Sequence, residues 1–202
     1  MRLHGALLRP LGRLALTLLV GVVLCAPPSF GGGRDTEKVD EYHLKAAFLY
    51  NFALFTDWPK ESFDDPKAPL VVAVVGKDPF GKHLTKTFDG KKAKGRPTEI
   101  RRFKSVDNIG HCHILYVPKD QASKIDTIRK KIGKQSVLII GEKPGFALQG
   151  GAVNFYAKGS KIAFEINPKA AERARVTISS QLLKLARVVK EKDDKSAAGG
   201  DR

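Results

Sequence analysis

Gly76-Lys-Asp-Pro-Phe-Gly81-Lys82 has the residue types and spacing of a phosphate-binding loop. In such a loop, backbone N–H groups cradle the phosphates and the lysine reaches them, while a following Ser or Thr holds magnesium. Here that last position is His83, and Pro79 removes one of the N–H groups the cradle needs. The segment therefore does not read as a nucleotide triphosphate site. It reads as a strand-to-helix turn, with Asp78 as N-cap and Pro79 at the first helical position. A weaker chemistry survives: the carboxyl end of a parallel strand can hold a small ligand, and Gly76, Asp78 and Gly141 are its candidate residues.

His111-Cys112-His113 has the composition of a metal site. It opens a strand, however, and alternate residues of a strand face opposite ways, so His111 and His113 share one face and Cys112 takes the other. Two histidines lack the further donors that zinc requires. No Ser-His-Asp grouping can be assembled, and Ser179-Ser180 reads as a helix cap rather than a nucleophile elbow. No cofactor or metal is implied, and the expectation is a protein that is not an enzyme.

The elements that would position these residues follow from periodicity. Residues 38–57 read as a helix apolar on most of its circumference, ended by Trp58-Pro59. Leu70–Val75, Ile114–Val117 and Ser136–Ile140 are unbroken apolar runs, the pattern of strands buried on both faces. Helices are expected near 79–88 and over 121–132, and an edge strand over 98–103. Strands alternating with helices at this spacing give right-handed crossovers and a parallel sheet. Residues 151–156 and 161–166 then form a hairpin around Ala157–Ser160. Asn167 before Pro168 caps a short helix, and Ser179 or Ser180 caps a last one running through Val189. The expected fold class is α/β: a three-layer sandwich with a mainly parallel sheet plus a C-terminal antiparallel hairpin, flanked by helices.

On the hairpin, Glu165 lies opposite in phase to Phe164 and Ile166, and Asn154 and Phe155 lie on the neighbouring strand. An aromatic and a carboxylate there make either a recognition patch or an ordinary edge pair. Gln181 opens the last helix at the same end of the chain.

Arg2, Arg9 and Arg13 precede an apolar run from Leu14 to Leu24, and small residues follow. That is the layout of a cleaved export signal over 1–31, shorter than a comfortable membrane span. An uncleaved anchor helix is the alternative. Cys25 would suggest a lipoprotein, but Leu24 stands where a small residue is wanted. A single α/β domain over 32–190 and a polar, disordered tail over 191–202 are then expected. Only Cys112 remains after export, so no internal disulfide can form.

The chain carries 36 basic and 21 acidic residues, and the signal holds just three of the arginines. An exported protein meets little nucleic acid, so such a surplus suits an acidic partner, a phosphorylated small ligand or peripheral contact with an anionic membrane. Residues 82–104 concentrate it, with nine Lys or Arg against two acids. The loop Lys91–Arg96 has no interleaved aromatic for stacking on bases. It reads equally as a solvated guard beside an edge strand.

Several stretches resemble the YfiR-like (YfiR/HmsC-like) family of periplasmic regulators, across about residues 40–190. They are Lys45–Pro59, Val71–Gly81, Gly95–Pro97, the Cys112 strand, Phe146–Phe155, Phe164–Ala174 and Ile178–Ala186. The resemblance implies a periplasmic, non-enzymatic repressor. It would bind the periplasmic sensor part of an inner-membrane diguanylate cyclase or histidine kinase, lowering cyclic di-GMP and biofilm formation. Phe155, Glu165 and Gln181 are the expected partner-binding residues. Some relatives carry redox-responsive disulfides, and this chain, with Cys112 alone, departs from them. A periplasmic sensor of a small metabolite at Gly76, Asp78 and Gly141 is the alternative, and the apolar first helix would also suit a homodimer.

Overall fold

A computed structural model describes residues 33–190, with side chains from residue 41. The expected signal and tail lie outside the described residues. Eight strands form one sheet in the order β10-β8-β7-β6-β5-β2-β4-β3. Its centre is β2 (Leu70–Val75), flanked by β4 (Arg96–Phe103) and β5 (Ile114–Val117), followed by β6 (Leu138–Gly141) and β7 (Val153–Lys158), all parallel. β8 (Lys161–Ile166) returns antiparallel to β7, and β10 (Arg187–Val188) closes that side parallel to β8. β3 (Lys92–Ala93) pairs antiparallel with β4 at the opposite edge, so the strand expected at the edge lies one place in.

The unbroken apolar runs are explained by what covers them. Leu70, Val72 and Val74 enter one core, with α1 (Gly33–Leu54) and α2 (Lys82–Phe88). Val71, Ala73 and Val75 enter the other, with α3 (Ile125–Ile132). Ile114 and Tyr116 divide from Leu115 and Val117 in the same way. A strand covered on both faces has no use for alternation. The result is the expected layered α/β architecture.

Local chemistry moved several boundaries. α1 stops at Leu54 rather than 57, because Thr56–Asp57 (β1) pairs antiparallel with Thr177–Ile178 (β9) in a separate two-stranded sheet. Asp78 does not cap α2. It accepts a hydrogen bond from the Phe80 N–H at 2.7 Å, closing a turn before Gly81, which occupies the cap position at φ +54°. Asn167 does cap α4 (Pro168–Arg173), accepting from the Ala170 N–H at 3.2 Å, and Ser179 caps α5 (Ser180–Leu185). That last helix ends four residues early, since Ala186 turns extended and the Val189 N–H pairs with the Ile166 carbonyl at 2.9 Å.

Candidate interaction site

The hairpin register decides which of the expected partner-binding residues can reach a partner. Phe155 stands opposite Phe164, and Asn154 opposite Glu165. The pleat sends the first pair to one face and the second to the other. Phe155 lies under α1, its ring 5.9 Å from that of Phe48 and 6.0 Å from that of Phe52, and it is 1% exposed. Phe155 is therefore a core residue and not a recognition surface. Glu165 is also buried, at 3%. Its carboxylate accepts from the Asn154 amide at 3.1 Å and pairs with the Arg187 guanidinium. Arg187 is its register partner on β10, and its guanidinium lies 4.7 Å over the Tyr156 ring. Glu165 thus fastens the outermost strand to the hairpin. Gln181 alone of the three is exposed, on α5. Beside it in sequence, Leu185 and Val188 are 73% and 47% exposed. The surface that forms is an open parallel edge, β10, next to two uncovered apolar side chains.

The carboxyl end of the central strands is packed by the protein itself. A side chain at Gly76 would meet Gln121, and one at Gly141 would meet the Phe146 ring at 2.5 Å. Asp78 pairs with Arg102 at 2.6 Å.

Next to Gly141, however, stands a charged network that periodicity did not reveal. Glu142 and Lys45, both buried, form an ion pair, and Lys45 also pairs with Glu41 one turn earlier on α1. The Tyr42 hydroxyl donates to Glu142 at 3.1 Å. The Tyr116 hydroxyl is buried beside the same carboxylate without a hydrogen bond of good geometry. Burial first, and then the Glu142 charge, pushes the ionisation of both phenols upward. Both phenols stay neutral, and of the two only Tyr42 donates to Glu142. Phe80 covers the two tyrosine rings edge-on, at 5.5 and 4.7 Å. The network ties α1 to the end of β6. Its trace in the sequence was a lysine inside an apolar stripe, four residues after a glutamate.

His113 is structural. Its Nδ1 accepts from the Val71 N–H at 3.0 Å, so Nε2 carries the proton and donates to the Ser62 carbonyl at 3.0 Å. Its ring stacks on Phe63 at 4.3 Å, and Trp58 donates to its carbonyl at 3.2 Å. Burial, then the neighbouring His111, lowers its pKa to about 4. Cys112 points into the α3-side core, and burial raises its thiol to about 12, far from a reactive thiolate. Among the described residues, no three His, Cys, Asp or Glu side chains are placed to hold a metal. No helix among them is long and apolar enough to cross a membrane.

The chain belongs to the YfiR/HmsC-like family, whose pattern it matches over residues 42–187. That family consists of regulatory, non-catalytic periplasmic proteins that act on diguanylate cyclases. No curated protein matches the chain. Among solved structures it is similar to an ABC domain in complex with L-Trp from Streptococcus pneumonia, at 16% identity and a TM-score of 0.44, covering 59% of this chain and 54% of that one. It is also similar to a conserved domain protein from Vibrio cholerae, at 13% identity and a TM-score of 0.43, covering 60% and 55%. The chain thus spans about half the length of these two structures.

Proposed function

We propose that this protein is a non-enzymatic, periplasmic negative regulator. It binds the periplasmic sensor part of an inner-membrane signalling protein, a diguanylate cyclase, and holds it inactive. Family membership supports the class of partner. The observation that carries the docking surface is the exposed edge at β10, where Leu185 and Val188 stand uncovered beside strand backbone that no further described strand pairs with. An edge of this kind accepts an added strand or helix, and the flanking apolar residues give the contact its affinity. Since a regulator can shift its partner only by binding one state more tightly, weakening the complex releases cyclase activity. Residues 1–31 act in this reading as the cleaved export signal.

The test is affinity capture from detergent-solubilised inner membrane, using the tagged exported protein, with mass spectrometric identification and a cyclase assay on the captured material. A membrane-anchored cyclase whose rate rises when the regulator is removed supports the reading. Folded bait that captures no signalling protein removes it.

A further inference from the structure

A cavity of about 480 Å³ lies on the α3 side, between α3, β6, the Gly150–Ala152 segment and α4. Its volume is that of small-molecule sites, roughly 300–1,000 Å³. Part of the wall is aliphatic, from Ile132, Val137, Ile139, Ala152 and Ala170, and the rest is polar. The charged lining is Arg129 and Lys130 of α3, Arg173 of α4 and the acid Asp126. A smaller depression of about 240 Å³ shares Arg129, Gly150 and Arg173 with it, so these residues border both openings.

Arg129 is held at this border by the backbone beneath it. Gly150 has φ +109°, and a Cβ there would lie 3.0 Å from the Arg129 Nη1. The positive φ favours glycine there, and any side chain would make the guanidinium shift by a few tenths of an ångström. The acid on this lining pairs weakly: Asp126 is 81% exposed and 3.7 Å from Arg129.

We infer that this cavity binds a small apolar carboxylate, its body against the aliphatic walls and its head on Arg129 and Lys130. A guanidinium meets a carboxylate with two parallel hydrogen bonds, which fixes the head at the mouth. The cavity is lined mainly from α3, β6 and α4 and shares no lining residue with the β10 edge. The inference therefore does not depend on the partner proposed above.

Sodium decanoate below its micellar concentration is the probe. Binding is read by calorimetry, and its location by backbone amide shifts in the exported protein. Decanoate is expected to shift amides around Ile132–Gly133, Ala152 and Ala174. Decanol is expected to bind more weakly, as are the variants Arg129→Glu and Lys130→Glu, each by about tenfold or more. Both side chains are exposed, so the variants should keep the parent's melting temperature, which is measured alongside. Decanoate that leaves these amides unmoved, or binds both variants as tightly as the parent, overturns the inference. So does decanol that binds as well as decanoate.

Discussion

Lys45 is only 2% exposed, and two carboxylates meet it. Removing one partner from a buried pair leaves the other charge unpaired, at a cost of about 3–5 kcal/mol. Lys45→Met should therefore lower unfolding free energy in urea by about that amount, since Glu142 then faces Glu41 with no cation between them. Lys45→Met combined with Glu142→Leu should recover much of the loss; a double variant no better than the single would show that the Tyr42 bond, not the ion pair, is what α1 relies on. His113 supplies a pH dependence. Its folded pKa of about 4 lies below the ordinary 6.5, so the unfolded chain binds the extra proton first. Its contribution is complete above pH 6.5 and is lost as pH falls toward 4, by about 3 kcal/mol at most. Protonation would also abolish the Nδ1 acceptor that holds the Val71 N–H. Urea midpoints for the parent should fall between pH 6.5 and 5, above the carboxylate range. They should stay flat for His113→Gln, and a parallel decline in that variant would assign the effect elsewhere.

At the scale of elements, strands were legible and helix ends were not. Leu70–Val75 could be read as a central strand because burial on both faces leaves an unbroken apolar run. The ends of α1 and α5 depended on pairings that sequence spacing does not encode: Thr56 with Ile178, and Arg187 with Glu165. The candidate site was legible in part. The hairpin was visible, and with it the opposite phase of Phe164 and Glu165. Its antiparallel register was not, and that register puts Phe155 inward. Glu165 looked free only because β10 could not be foreseen. Substituting it should therefore detach an element, not merely remove a contact. Glu165→Lys places a cation against Arg187 and breaks the bond from Asn154. Hydrogen exchange at the Val189 amide should accelerate toward unprotected rates, while amides of β5 and β6 keep their protection. Unchanged protection at Val189 would mean backbone pairing alone holds β10.

The whole molecule has two unlike ends. At the β3 edge the sheet is guarded: Lys91, Lys92 and Lys94 are exposed, and Pro97 in β4 removes a donor. Lysines and proline at an edge discourage further strand pairing. The β10 edge also has exposed cations, Lys184, Arg187 and Lys190, but there Leu185 and Val188 stand uncovered among them. The proposed docking edge and the lysine-guarded edge thus lie at opposite ends of one sheet. The two differ in their response to salt. Exposed charges more than about 8 Å apart are largely screened at physiological ionic strength, while apolar burial is not weakened by salt. If the partner sits on β10, its capture should survive 0.5 M sodium chloride, a concentration on the order of that at which the screening length falls to a few ångströms. Lys92→Glu with Lys94→Glu should then leave affinity within about threefold, since distant rim charges act mainly on association rate. Leu185→Asp with Val188→Asp should reduce affinity at least about tenfold, by placing two carboxylates where apolar area was to be buried. Surface plasmon resonance against the captured cyclase's periplasmic domain measures all three. Loss of binding in high salt and in the lysine variant, with the aspartate variant unaffected, would move the docking site to the basic end of the sheet.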